Sequence, residues 1–188
     1  MRKIAITGNL ASGKSTVGRI LQEYGAYVVD ADEIVHSLLS LNTPTGKKVV
    51  ELLGPEIVAG NQIDRRKISE IVFSDFKKLT SLENILHPAV KQEIKNHFNH
   101  IKNNSSYKMF VAEVPLLYES GMEEDFDLVI AVIADEKVAR QRSTAAQFDQ
   151  RYARQHKDKA SKADFVITNN GDLNLLRSSI DAILDRLI

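Results

Sequence analysis

The chain has 188 residues, 43% of them hydrophobic, with 25 Lys and Arg set against 25 Asp and Glu. That length makes one domain the default and is enough to bury a sizeable core. Zero formal charge leaves no global field to draw nucleic acid or an acidic membrane. With no cysteine, disulfides, thiol catalysis and cysteine metal sites are excluded. The longest apolar run, Leu128 to Ala134, is far too short for a membrane span, and no signal-peptide core precedes the first strand. The expectation is a soluble cytoplasmic protein.

The first element is a short apolar run, Lys3 to Thr7, read as a buried strand. Gly8-Asn9-Leu10-Ala11-Ser12-Gly13-Lys14-Ser15 follows and fits G-x-x-x-x-G-K-[ST], the phosphate-binding loop. Val17, Ile20, Leu21 and Tyr24 then recur at helical spacing. Strand, glycine loop and helix are the context the motif requires. Gly8 and Gly13 let the backbone turn its N–H groups inward toward an anion at a helix N-terminus. Lys14 would reach the β- and γ-phosphates, and the Ser15 hydroxyl would ligate Mg²⁺.

Gly25 closes the first helix, and Ala26 to Val29 is a second strand ending at Asp30-Ala31-Asp32. A carboxylate just past a strand's C-terminal end sits where open α/β sheets bind ligands. Asp32 equally suits the cap of the helix carrying Ile34, Val35, Leu38 and Leu39, and the two readings are compatible. Residues 41–104 read as an all-helical block. Pro44 opens one helix, stopped at Gly54-Pro55; Gly60-Asn61 turns; Asp64 caps another; a further stripe stops at His87-Pro88 before a last one through Ile101. A crossover needs only about a dozen residues, so this block is an insertion, expected to carry the second substrate's site.

Met109 to Ala112 is the third strand and leads into Glu113, where an acidic residue holds the magnesium shell in phosphate-loop enzymes. The alternative, a strand-end charge facing water, is disfavoured by apolar flanks. Leu128 to Ala134 is the fourth strand, apolar throughout as in parallel sheets. Residues 135–162 are polar and basic, with Arg140, Arg142, Arg151, Arg154 and Lys159 among them. They read either as a solvated face or, the reading favoured here, as a lid whose arginines close over a transferred phosphoryl group and exclude water. Phe165 to Thr168 is the fifth strand, Asn169-Asn170-Gly171 its exit turn, and Leu173 to Leu187 the last helix. His97 and His100 share a helix and read as surface residues. The sum is an α/β fold: a phosphate-loop kinase-like, doubly wound, five-stranded parallel sheet with a helical insertion and a lid. Its core spans 1–40, 105–134 and 163–188, the insertion about 41–104 and the lid about 135–162.

Neither the D-x-x-G nor the N-K-x-D element of switch GTPases occurs. The chain resembles the dephospho-coenzyme A kinase family nearly end to end. The resemblance rests on Thr7-Gly8 through Thr16, Gly25 through Asp32, Ile63-Asp64-Arg65, Val72-Phe73, Leu86-His87-Pro88, Pro115 to Glu119, and Ala163 to Ile167 with Asn169 and Gly171. It implies transfer of the ATP γ-phosphate to the ribose 3′-hydroxyl of dephospho-coenzyme A, with ATP and Mg²⁺, in the last step of coenzyme A synthesis. It also implies that Asp32 is the general base and a substrate contact, that Lys14 and the lid arginine Arg142 (Arg140 the alternative) act in catalysis, and that Gly8, Ala11, Ser12, Gly13, Lys14, Ser15, Thr16 and Asn169 hold ATP. Asp64, Arg65 and His87 are then candidates for the acceptor, and Ser15 and Glu113 for the metal. The expected partners are ATP and dephospho-coenzyme A, with no nucleic acid or membrane, in a monomer or weak homo-oligomer. Four positions depart from the family's pattern. Asn9 replaces a usual glycine, Glu113 a usual aspartate, and Gly60-Asn61-Gln62 a common Asp-Gly pair. The lid is several residues short and has no arginine in Ser143 to Gln147.

Overall fold

The structure is a computed structural model and describes residues 1–143, 148–153 and 158–188, without the side chains of 150, 151 and 153. The described residues form β1 (Arg2–Gly8), α1 (Lys14–Glu23), β2 (Ala26–Asp30), α2 (Ala31–Leu38), α3 (Pro44–Leu53), β3 (Val58–Ala59), β4 (Gln62–Ile63), α4 (Arg65–Ser74) and α5 (Phe76–Ile101). They continue with β5 (Met109–Glu113), β6 (Leu128–Ile133), α6 (Glu136–Arg142), α7 (Phe148–Ala153), α8 (Lys159–Lys162), β7 (Phe165–Thr168) and α9 (Leu173–Leu187). The chain divides into two compact units, 1–30 with 97–188, and 31–96.

The first unit is built on a parallel sheet in the order β2-β5-β1-β6-β7. β1 is central, with Ile4 opposite both Val111 and Leu128. Every residue of β5 is buried, and so are the last five of β1, because a parallel sheet carries helices on both faces. On one face Val17, Ile20 and Leu21 of α1 and Leu176, Ile180 and Leu187 of α9 cover Ile4, Ile6, Val111, Ile130 and Val132. Arg177 of α9 makes a two-pronged bond to Glu23 of α1, 2.7 and 2.9 Å. On the other face Phe110 meets Tyr27 and Phe98. There His97 is not the surface residue expected. It is half-buried, with Nδ1 3.1 Å from the Tyr27 hydroxyl. The chain leaves β1 toward β2 on one side and later builds β6 and β7 on the other. The winding thus reverses at the C-terminal ends of β1 and β5, where ligands bind in open α/β sheets.

The second unit has its own core of Val49, Leu53, Ile57, Ile63, Ile68, Val72 and Leu82, with Leu39 and Leu41 against it. Thr43 caps α3 by accepting from Gly46 N, and Gly54 ends it at φ 97°. The Asp64 carboxylate caps α4, accepting from Arg66 N at 2.8 Å. Two details differ from the sequence reading. The block is not all helix, because β3 and β4 form a hairpin around Gly60-Asn61, with Gly60 at φ 61°. A two-residue turn opening with glycine is itself a hairpin signal. Nor does Pro88 end a helix, since α5 runs unbroken from Phe76 to Ile101 with Pro88 inside it. Pro88 has no N–H to offer the preceding turn. The helix continues because buried side chains lie on both sides of the break, Leu82 before it and Val90 and Ile94 after.

Proline costs about 3 kcal/mol relative to alanine in a helix interior. Part of that is offset by the stiffness it lends the unfolded chain. Pro88→Ala is therefore expected to stabilise the protein by about 2 kcal/mol, the difference of the two, visible as a higher thermal midpoint. An unchanged or lower midpoint would show that the helix is already bent to accommodate the ring.

Candidate active site

The loop after β1 is shaped by contacts that leave no space for side chains. At Gly8, φ 151°, a Cβ would lie 1.9 Å from the Val132 carbonyl oxygen of β6. Gly13, φ 96°, begins α1 as its N-cap, and a Cβ there would lie 2.3 Å from Asn169 Nδ2. Ala11, at φ 55°, is the one described non-glycine residue with positive φ. Left-handed residues between extended and helical ones curl the backbone into a concave nest of N–H groups. No side chain caps α1, so the positive end of its dipole is left facing that nest.

Side chains of the loop itself and of two other segments secure it, and a third segment braces one of those. Asn169, buried at the end of β7, donates from Nδ2 to the Ser12 carbonyl at 2.8 Å. The Lys14 ammonium folds back over the loop to the carbonyls of Gly8 (3.3 Å) and Asn9 (2.9 Å). The Ser15 hydroxyl donates to Glu113 Oε2 at 2.9 Å. Glu113 is 5% exposed, so it is not a strand-end charge facing water. Arg142, at the end of α6, donates from Nη1 to the Asn169 carbonyl (2.8 Å) and from Nη2 to the Gly171 carbonyl (3.3 Å). Arg140 instead pairs with Glu136 (2.9 Å) and Asp149 (2.6 Å), which hold its guanidinium firmly charged. Gly8, Ala11, Ser12, Gly13, Lys14, Ser15, Thr16, Glu113, Arg142 and Asn169 thus share one end of the sheet. Arg154, and the side chain of Arg151, lie outside the described residues.

The described residues of the basic segment 135–162 are tied to the core more firmly than its composition suggests. Ala139 and Phe148 are buried, and Lys159 is 1% exposed. The Lys159 ammonium donates to the Pro115 carbonyl and pairs with Glu119 Oε1 at 3.2 Å. Burial pushes its pKa down and Glu119 pulls it back up. The same Pro115 carbonyl accepts from the Thr7 hydroxyl at 3.4 Å. One buried charge therefore joins the segment before β7 to the exits of β1 and β5. A lysine in a basic run gives no sequence signal of burial, because the pairing acid is forty residues away.

In the second unit, Asp32 and Glu33 lie in the first turn of α2, at the positive end of its dipole. Asp32 is not the helix cap: α2 starts at Ala31, directly after β2, and leaves no loop residue to put Asp32 there. Asp32, Glu33, His36 and Ser37 line a cavity of about 530 Å³ with Arg65, the first residue of α4. Asp64 spends its carboxylate on the α4 cap, and His87, half-buried on α5, is not in the lining. Glu33, His36 and Ser37 belong to no motif, although their spacing from Asp32 puts all four on one helix face. No helix among the described residues is long and apolar enough to cross a membrane.

A parallel sheet in this order, with a glycine-rich phosphate loop after its central strand and a serine–carboxylate pair beside it, defines a phosphate-loop kinase of the small-molecule type. Residues 2–174 match the family model described as dephospho-CoA kinase. The dephospho-CoA kinase of Protochlamydia amoebophila is 45% identical over 196 residues, covering 100% of this chain and 97% of the relative. The crystal structure of a Thermus thermophilus protein superposes with a TM-score of 0.83 at 30% identity, over 100% of this chain and 98% of the other. Dephospho-CoA kinase from Campylobacter jejuni gives 0.71 at 26% identity, over 98% and 96%. The chain belongs to the dephospho-CoA kinase family.

The buried Lys159 pair predicts a measurable stability effect. Lys159→Met removes the ammonium that pairs with Glu119 Oε1. The cost is expected at about 2–3 kcal/mol, below the usual range for a broken buried pair because Glu119 is 20% exposed. A denaturant midpoint within error of the wild type would mean that the ammonium is not held as described.

Proposed function

We propose that this chain transfers the γ-phosphate of ATP to the ribose 3′-hydroxyl of dephospho-coenzyme A, giving coenzyme A and ADP. The observation that carries the reading is a complete phosphate loop, with Lys14 and the Ser15–Glu113 pair, in a chain of this family. Family membership supports ATP as donor and an alcohol as acceptor. The choice of the 3′-hydroxyl follows from the names of the relatives and from the sequence resemblance.

Phosphoryl transfer asks little covalent chemistry of the protein. Its work is positioning and charge stabilisation. Gly8 to Thr16 would hold the triphosphate on backbone N–H groups, with Lys14 turning from the loop carbonyls to the phosphate oxygens. Asn169 would keep the loop in register through the Ser12 carbonyl. The hydroxyl of Ser15 and the carboxylate of Glu113 are hard oxygen donors, as Mg²⁺ prefers, and this ion keeps most of its shell for water and phosphate. When bound there, Mg²⁺ would supply charge neutralisation at the β- and γ-phosphates. Arg142 is proposed as the arginine that steadies charge spreading over the transferred group. Asp32 is proposed as the base, accepting the acceptor hydroxyl's proton while orienting its oxygen for in-line attack. Arg65, in the same cavity as Asp32, suits an anionic acceptor. Asp64 would act by fixing the start of α4 and so Arg65, and His87 remains a candidate acceptor contact.

The deciding measurement is ADP release from ATP and Mg²⁺, with and without dephospho-coenzyme A, with the product identified by mass. Strong stimulation with coenzyme A formed is expected. ATP binding without stimulation would overturn the acceptor assignment. Asp32→Asn is expected to retain ATP affinity while turnover falls by about 10²–10⁴-fold. Near-normal turnover would remove Asp32 from the mechanism.

A further inference from the structure

α1 carries a glycine in its interior, Gly18, although glycine is the poorest helix former after proline. Its backbone does not demand glycine, since Gly18 is not among the positive-φ residues. What demands it is space. A Cβ at Gly18 would lie 2.3 Å from Glu113 Oε1, 3.3 Å from Glu113 Cδ and 3.4 Å from Val28 Cγ1. The other carboxylate oxygen, Oε2, accepts the Ser15 hydroxyl at 2.9 Å. Ser15 and Gly18 are three apart and share the face of α1 turned toward the end of β5. The carboxylate therefore lies along the helix, one oxygen on Ser15 and the other over the bare Cα of Gly18.

We infer that Gly18 is the positioning residue for Glu113: by omitting a side chain, it lets the long glutamate lay its carboxylate beside the Ser15 hydroxyl. A methyl at position 18 cannot share that space, and Val28 Cγ1, 3.4 Å away, is already in contact with it. Glu113 is 95% buried, so its carboxylate has no solvent route around the methyl and must draw back from Ser15. An aspartate at 113 ends about 1.5 Å nearer its own backbone, one carbon–carbon bond. It would clear a methyl at 18, but beside the native Gly18 it would leave a gap and a longer reach to Ser15. Residues 18 and 113 are thus matched in size: glycine with glutamate, or alanine with aspartate. The inference rests on the reading of Ser15 and Glu113 as metal ligands.

A double-mutant cycle tests it. Gly18→Ala should still fold, because alanine's preference for the helix offsets part of the cost of moving the glutamate's end. Its kcat should fall at least tenfold, and the gain in ATP affinity on adding Mg²⁺, read by calorimetry, should shrink. Glu113→Asp alone should show the same signs. The double variant Gly18→Ala/Glu113→Asp should recover most of both quantities. Multiplicative losses in the double variant, or a Gly18→Ala enzyme with wild-type kcat and Mg²⁺ response, would overturn the matching. If Gly18→Ala fails to fold, the comparison of Glu113→Asp with the double variant decides: adding alanine must raise kcat. Ser15→Ala separates the underlying reading. An unchanged Mg²⁺ response there would refute the metal assignment and the metal part of this inference, while the size coupling is judged by the cycle alone.

Discussion

A loop that turns its amides inward to meet an anion points its carbonyls outward, and those carbonyls need donors. Here the Asn169 side chain takes the Ser12 carbonyl, and the Lys14 ammonium takes those of Gly8 and Asn9. The first bond comes from the last strand of the sheet, about as far along the chain from the loop as a strand of this fold lies. The loop's conformation therefore depends on a strand at the far edge of the sheet. Among the described residues β7 pairs with β6 alone and β6 pairs with β1, and Asn169 reaches Ser12 from the end of that row. Arg142 then builds on the same turn, bonding the carbonyls of Asn169 and Gly171.

The second demand on the loop is closeness. Gly8 runs so near the β6 backbone, and Gly13 so near Asn169, that a single methyl at either position would collide. The same economy recurs at Gly18 under Glu113. In each place a missing side chain makes room for a polar group brought from elsewhere in the chain: a strand carbonyl, an amide, a carboxylate. Charge is placed with similar care. Lys159 is buried only where Glu119 and the Pro115 carbonyl receive it, as burying an ammonium requires.

The two units have separate cores, and their chemistry differs in character. The first offers backbone amides, a lysine, a hydroxyl and a buried carboxylate, a set suited to phosphate and a hard cation. The second offers an exposed helix face of Asp32, Glu33, His36 and Ser37 beside Arg65, which sets carboxylates and a guanidinium around one cavity. In the chain, the second unit is inserted between β2 and β5 of the first.

The sequence by itself determined what is local: five strands from short apolar runs, the phosphate loop from its glycine and lysine spacing, helix ends from Gly25, Pro44, Gly54 and Asp64. These features depend on backbone freedom and hydrogen bonding within a few residues, so a linear reading reaches them. The family resemblance was legible for the same reason, being carried by short contiguous motifs. Only the tertiary structure decided the rest. Pro88 stays inside a helix because distant side chains bury both its flanks, and Lys159 is buried because an acid forty residues away meets it. Gly18 is required by a glutamate from another strand. Each turns on which residues become neighbours through folding, and the spacing of letters along the chain does not contain that information.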